Sequence, residues 1–107
     1  MYTRCVELTI NPDKRKEIEA HLNDFVLPTL RKQPGFTDIV ALAKEDDPTN
    51  LTTFTFWNSK QDAEAYSRDV FPKLIDGIRS FLKASPSVKT YTVHTATMYR
   101  IASGKAA

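Results

Sequence analysis

The chain has 107 residues, of which 41% are hydrophobic and 26% charged, so it fits one globular domain and excludes a disordered or collagen-like chain. Its net charge of +2, from 15 basic and 13 acidic residues, is too balanced for a nucleic-acid-binding surface. The single cysteine, Cys5, excludes an internal disulfide. Residues 1–10 do not have the pattern of a signal peptide, and no apolar run approaches the roughly 20 residues that span a bilayer, so we expect a cytoplasmic protein with no membrane partner.

The first ten residues alternate in polarity from Tyr2 to Ile10. Alternation with period two is typical of a strand that has one apolar face. One face of this predicted strand carries Tyr2, Arg4, Val6, Leu8 and Ile10, and the other carries Thr3, Cys5, Glu7 and Thr9.

A helix is predicted next, because Asn11 is a good N-cap and Pro12 suits the first helical position. Pro28 lies inside its apolar stripe and cannot donate a hydrogen bond to the carbonyl of Asp24, so we expect a kink between residues 24 and 28. The segment Gln33-Pro34-Gly35 ends the helix. The stripe recurs every three or four positions and consists of Ile18, Leu22, Phe25, Val26, Thr29 and Leu30.

Residues 36–44 and 51–57 are the next two predicted strands, and the polar residues 45–50 form the turn between them. The pattern indicates an antiparallel hairpin with two apolar faces, so both faces are expected to be covered. Alternation does not say which face meets the helices. Val40 and Leu42 oppose Ile39, Ala41 and Ala43, while Phe54 and Phe56 oppose Leu51 and Trp57.

A second helix is predicted to begin after Ser59, which can act as N-cap, with Asp62 in the first turn. Pro72 and Gly77 interrupt its apolar stripe, so we expect a bend or a break after Val70. Residues 85–87 end this helix.

The last predicted strand runs from Val88 to about Tyr99, within a single domain of residues 1–102, and residues 103–107 are expected to be a loose tail. The order β-α-β-β-α-β is that of the ferredoxin-like α+β fold, with a four-stranded antiparallel sheet and two helices on one face. The apolar residues on the other face predict a homodimer that forms through this sheet face with two-fold symmetry.

Motifs for cofactor chemistry are absent from the sequence. There is no GxGxxG, no Walker loop, no HExxH and no CxxC, and the two histidines, His21 and His94, have no metal-binding spacing. We therefore expect no cofactor and no metal. His21 is interpreted as a surface or half-buried residue one turn after Glu17.

The internal prolines of the two helices predict a cavity, because bent helices cannot lie flush on a sheet along their whole length. A core role is the simpler alternative for the aromatic side chains, and a structural hydrogen-bonding role is the simpler one for His94. The residues expected to border the cavity are Phe25, Trp57, Tyr66, Phe71 and His94.

Three short motifs resemble the antibiotic biosynthesis monooxygenase superfamily, over about residues 2–98. They are Pro34-Gly35-Phe36 at the start of the second strand, Trp57-x-Ser59 followed by Asp62-Ala63, and Pro86-Ser87-Val88 before the last strand. The resemblance implies a dimeric α+β barrel. It also implies either cofactor-free oxygenation of quinols and polyketide-derived phenols, or haem degradation.

Two departures from the family pattern separate these activities. The second helix has Tyr66-Ser67-Arg68 where many members have a histidine, and the first strand has no asparagine. Since haem degraders need both residues, haem degradation is not expected. The missing histidine also weakens the prediction of oxygenase chemistry, unless Tyr66 or His94 takes its place.

The leading hypothesis is therefore a cofactor-independent monooxygenase that oxidises a small electron-rich aromatic. Trp57 would form the wall of the cleft, Asn58 and Tyr66 would hydrogen-bond the substrate, His94 would be the base, and Phe25 and Phe71 would contact the substrate. Two alternatives stay open. One is a catalytically silent dimeric module that binds a small hydrophobic or aromatic ligand, and the other is a structural partner within a larger assembly.

Overall fold

The computed structural model describes residues 1–98 and contains four strands and two interrupted helices. The strands are β1 (Tyr2–Thr9), β2 (Phe36–Ala43), β3 (Asn50–Trp57) and β4 (Ser87–Thr92). The helices are α1 (Arg15–His21), α2 (Leu27–Arg31), α3 (Lys60–Asp69) and α4 (Phe71–Asp76), with 3-10 turns at Pro12–Lys14 and Arg79–Phe81.

The four strands form one antiparallel sheet in the order β2-β3-β1-β4, which confirms the predicted ferredoxin-like α+β fold. In the centre of the sheet, Tyr2 of β1 lies opposite Trp57 of β3, and Leu8 lies opposite Leu51. The two ends of β1 pack against different buried side chains of the helices: Leu8 belongs to the same cluster as Ile75, and Tyr2 packs against the cluster that contains Tyr66. This layer packs on one face of the sheet, as the fold class predicts.

The kink expected before Pro28 is present as a π-helical segment, Leu22–Val26, between α1 and α2. Pro28 has no N–H for the carbonyl of Asp24, so the regular hydrogen-bonding ladder is interrupted at this turn. The N-cap prediction is also confirmed, because the side chain of Asn11 accepts a hydrogen bond from the backbone N–H of Asp13.

The second helix is broken at Val70, as expected from Pro72 in the first turn of α4. At its start, the Ser59 hydroxyl oxygen accepts a hydrogen bond from the backbone N–H of Asp62, and the hydroxyl itself donates to the Asp62 carboxylate. Each side chain thus stabilises the first turn of α3, as predicted.

The prediction that the last strand reaches about Tyr99 was wrong, because β4 ends at Thr92. Thr92 lies opposite Tyr2, the first residue of β1, and the N–H of Val93 donates to the carbonyl of Met1. Beyond this point β4 has no β1 residue opposite it, so pairing stops. Tyr99 and the expected tail at residues 103–107 lie outside the described residues.

The core under the helices consists of two clusters of buried side chains. The most completely buried large side chains are Trp57, Ile10 and Leu30. The first cluster contains Val6, Leu8, Ile10, Ile18, Ile75 and Ile78, and the second contains Leu30, Trp57, Ala63, Tyr66 and Leu74.

The face of the sheet opposite the helices carries an apolar patch, which we call the open sheet face. Val40 is 39% exposed and Leu42 is 48% exposed, although they pair directly with residues of the central strand β3. The patch consists of Val40, Leu42, Phe54, Phe56 and Tyr91. Within residues 1–98, no helix has the length and apolar character needed to cross a membrane.

Candidate active site

A cavity lies between the sheet and the interrupted helices, where the sequence predicted one. The space open to the centre of a water-sized sphere measures about 60 Å³. Since one water molecule needs about 10–15 Å³ on this measure, the cavity has room for a small ligand group or for several waters. Its polar lining residues are Arg4, His21, Thr53, Thr55 and Tyr66. Its apolar lining residues are Val6, Leu8, Ile18, Leu22, Val26, Leu30, Ile39, Leu51, Phe71, Leu74, Ile75 and Ile78.

Arg4 is the cation of this cavity, and it is only 2% exposed. Its guanidinium carbon lies 4.5 Å from the ring centre of Phe71 and 5.3 Å from that of Tyr66, distances at which cation–π attraction operates. Its Nη1 is buried and has no hydrogen-bond partner within the described part of the chain. Burial lowers the pKa of Arg4, which reflects the cost of holding this charge away from water.

Tyr66 lines the cavity from α3 and is 5% exposed. Burial raises its pKa to about 12, and the nearby Arg4 charge only partly opposes this shift. The phenol therefore stays protonated at neutral pH and can donate a hydrogen bond. Its ring packs against Trp57, with 4.8 Å between ring centres, and against Phe71 at 6.1 Å.

Trp57 supports Tyr66 from behind and is absent from the cavity lining. It is completely buried, and its indole N–H donates to the hydroxyl oxygen of Thr55 at 2.9 Å. Phe36 packs edge-on against the same indole. Trp57 thus fixes the Tyr66 ring in place. The indole N–H of Trp57 already donates a hydrogen bond within the protein.

His21 lines the cavity from the end of α1, and its Nε2 lies 3.0 Å from the carbonyl oxygen of Leu74. A carbonyl only accepts, so Nε2 carries the hydrogen, and Nδ1 of the neutral ring is left as an acceptor. The imidazole also stacks on Phe25, with 5.4 Å between ring centres. A Cβ atom at Gly77 would collide with this ring, so the absent side chain there leaves room for it.

Besides Trp57, three of the residues proposed from the sequence lie outside the cavity lining. His94 follows the end of β4, is exposed, and contacts the Thr95 hydroxyl at 2.8 Å through Nδ1. Asn58 is exposed, and its side-chain oxygen is 3.5 Å from the Thr37 hydroxyl. Phe25 is 54% exposed. Of the six proposed residues, Tyr66 and Phe71 line the cavity and Trp57 adjoins Tyr66.

Sequence reasoning missed Arg4 and His21 as cavity residues. A signal for Arg4 was present, because it is a lone cation on the otherwise apolar and aromatic face of the first strand. No such signal existed for His21, because its partner Leu74 is 53 residues away in the chain.

The arrangement combines a mostly apolar lining with a few polar groups that could orient the oxygen atoms of a small ligand group. Most of the lining side chains are aliphatic, while a neutral phenol, a guanidinium and an imidazole supply polar groups. Within residues 1–98, no three His, Cys, Asp or Glu side chains group closely enough to hold a metal ion. The Cys5 side chain lies on the face of β1 that points away from the cavity. It is buried there, and burial raises the pKa of its thiol.

The sequence of residues 1–69 matches the family model described as antibiotic biosynthesis monooxygenase. The chain belongs to this family. The match covers β1 to α3 and therefore includes Arg4, His21 and Tyr66. No curated protein matches the sequence significantly.

Solved structures with the same fold include other members of this monooxygenase class. A monooxygenase from the gene ActVA-Orf6 of Streptomyces coelicolor, in complex with nanaomycin D, is 19% identical, with a TM-score of 0.75 over 91% of this chain and 90% of its own. SnoaB, a cofactor-independent oxygenase from Streptomyces nogalater, is 16% identical, with a TM-score of 0.68 over 90% and 95%. A conserved protein from Methanosarcina mazei is 19% identical, with a TM-score of 0.71 over 85% and 91%. At these identities the likeness shows the fold alone.

Proposed function

We propose that this chain is a cofactor-independent monooxygenase that oxidises a small electron-rich aromatic of the quinol or phenol type. The observation that carries the proposal is the apolar cavity between sheet and helices, which has Tyr66, His21 and Arg4 in its lining. The family match supports oxygenase chemistry in general. The cofactor-independent oxygenase of S. nogalater supports the absence of a cofactor, and nanaomycin D in the S. coelicolor neighbour supports a small-molecule ligand.

In the proposed reaction the substrate supplies every electron. For an anthrone, a ring CH₂ becomes a carbonyl, one atom of O₂ enters the product and the other leaves as water. The first step is loss of a proton to give an electron-rich anion, which transfers an electron to oxygen. The protein needs to bind the ring, favour its anion and keep water out.

We assign the proton acceptor in this scheme to His21 in place of His94. His21 lines the cavity and has Nδ1 available once Nε2–H is bound to the Leu74 carbonyl, whereas His94 is exposed beyond the end of β4. Tyr66, held by Trp57 and protonated at neutral pH, would donate a hydrogen bond to the substrate oxygen. Phe71 would contact the substrate ring from α4.

Oxygen uptake tests the proposed activity. Purified protein is mixed with an anthrone or a menadiol-type quinol, without added metal or flavin, and oxygen and product are followed together. We expect one O₂ consumed per anthrone, at a rate well above autoxidation. His21→Ala should lower this rate, and His94→Ala, its matched control, should leave it unchanged. Uptake that never exceeds autoxidation would remove the proposal, and ligand binding without uptake would indicate the silent binding module.

We also propose that the protein forms a homodimer through the open sheet face. Val40, Leu42 and Tyr91 are each more than a third exposed, and the strand register places them on the same face of the sheet as Phe54 and Phe56. Monomeric proteins rarely leave such a patch uncovered. A second copy, related by a two-fold axis, would cover both patches at once and complete an α+β barrel.

A further inference from the structure

Among the residues that the structure describes, Nη1 of Arg4 is the buried side-chain nitrogen or oxygen that has no hydrogen-bond partner. Arg4 as a whole is 2% exposed. The ion pairs found within residues 1–98 join other side chains, all of them on the surface. Buried charges in proteins are normally paired, because removing an unpaired charge from water is costly. The faces of Phe71 and Tyr66 offset only part of that cost.

The position of Arg4 shows where its missing partner would lie. Arg4, Tyr66 and Phe71 all line the cavity, so a molecule there lies beside the residue whose guanidinium lacks a partner and beside the two aromatic residues that flank it. On the strand opposite, Thr55 already accepts the indole N–H of Trp57, and as a neutral hydroxyl it supplies no countercharge. The remaining lining is aliphatic apart from Thr53 and His21, so the protein itself brings no anion to this wall.

We infer that the cavity is an anion-binding subsite, in which Arg4 binds the oxyanion of a flat aromatic ligand. The anionic oxygen would accept the unused N–H of the guanidinium, and the ligand ring would lie among the aliphatic side chains and Phe71. This inference deepens the proposed function, since it concerns the same cavity and names an aromatic acid or an ionised phenol as the ligand class. Either a carboxylate or a phenolate supplies the required oxygen.

Calorimetric titration of the full chain with matched pairs of ligands tests the inference without any turnover. One pair is benzoate and neutral benzamide, and the other is 4-nitrophenolate and neutral 4-nitroanisole. A charge-assisted hydrogen bond in a buried site predicts that the anion of at least one pair binds about ten-fold tighter than its neutral partner, or more. The pair that shows the preference identifies the source of the oxyanion. Equal affinity within both pairs, or no binding by any of the four, would overturn the inference.

Three variants show whether Arg4 causes the preference. Arg4→Met keeps the length and the apolar stem but removes the charge, and it should abolish the preference for the anion. Arg4→Lys keeps a charge but not the planar fork, and it should retain a weaker preference. Arg68→Met, which removes an exposed arginine beside Asp69 on α3, is the matched control and should leave the preference unchanged. A preference that survives in Arg4→Met, or that disappears in Arg68→Met, would overturn the assignment.

Thermal unfolding without ligand separates a binding role from a structural one. If Arg4 is held uncompensated for the sake of a ligand, Arg4→Met should melt at the same temperature as the unmodified protein or at a higher one. A lower melting temperature would show that Arg4 stabilises the fold and would contradict the inference. Because neither measurement uses oxygen, the subsite can be confirmed even if the oxygenase proposal fails.

Discussion

The two faces of the sheet are made by the same four strands but differ in what covers them. On the helix side, Leu8 and Trp57 are buried, yet a cavity persists because the helices are interrupted before Pro28 and at Val70. On the open sheet face, Val40 and Leu42 remain exposed. One alternating pattern thus leaves two different surfaces: we propose that the enclosed face binds a ligand and that the open face binds a second copy.

The largest effect is expected on the helix side, from Trp57→Ala. Trp57 is completely buried and packs against Tyr66 and Phe36, so its truncation should lower the free energy of unfolding by about 3–5 kcal/mol. Urea denaturation followed by circular dichroism measures the loss. Phe56→Ala, on the opposite face of the same strand, is the comparison variant and should cost less in the monomer. An equal loss of unfolding free energy in the two variants would contradict the proposed difference between the two faces.

A second test uses the raised pKa of Tyr66. Its folded pKa of about 12 exceeds the ordinary value of 10, so the folded state holds the proton more tightly than the unfolded state. Its contribution to stability is therefore present below pH 10 and is lost as the pH rises through 12. The loss should amount to about 2–3 kcal/mol, and it should be absent from Tyr66→Phe. Denaturation midpoints of both proteins between pH 9 and about 12 measure it, and identical pH profiles would contradict a buried phenol.

The open sheet face is tested by Leu42→Lys. A lysine placed in this apolar patch should weaken a dimer by about ten-fold or more, because two copies of the charge would be brought into the interface. The matched control is Gln61→Lys, which adds the same charge at an exposed position on α3. Sedimentation velocity at micromolar concentration measures association. If the unmodified protein sediments as a monomer, the dimer proposal fails.

The smallest predicted effect concerns the N-cap that starts α3 beside the cavity. Ser59→Ala removes the hydroxyl that binds the Asp62 backbone and carboxylate, and it should cost about 1 kcal/mol of stability. Ser80→Ala is the control, since Ser80 is exposed and caps no helix. Chemical denaturation resolves a difference of this size. A loss of the same size in Ser80→Ala would show that the cap is not responsible.

Local signals in the sequence predicted most of the fold. Alternation defined β1 to within one residue, Asn11 and Ser59 marked helix starts, and Pro28 predicted the kink that the structure shows as a π-helical turn. Alternation could not tell which face of β2 and β3 meets the helices, because both faces are apolar. The end of β4 could not be predicted either, because it depends on where the partner strand β1 begins.

The candidate site could be predicted only in part. Tyr66, on the apolar stripe of the second helix, and Phe71, at the expected bend after Val70, were both expected to border the cavity, and both line it. His94 was expected to lie on the last strand and therefore beside the cavity. The strand ends two residues earlier, at Thr92, and His94 does not line the cavity. Arg4 shared a face with apolar residues in the sequence pattern, but its missing partner is visible only in three dimensions.

The most direct test of whether the helix side of the sheet carries the function is to measure oxygen uptake by two variants at neighbouring positions in β3. Thr53 lines the cavity and Thr52, on the opposite face, does not. Thr53→Met fills the space where the substrate would lie, and it should lower anthrone-dependent uptake by about ten-fold or more, since small displacements of a bound reactant are costly. Thr52→Met should keep the rate of the unmodified protein. Equal rates in the unmodified protein and Thr53→Met, or a loss confined to Thr52→Met, would contradict the placement of the active site in the cavity.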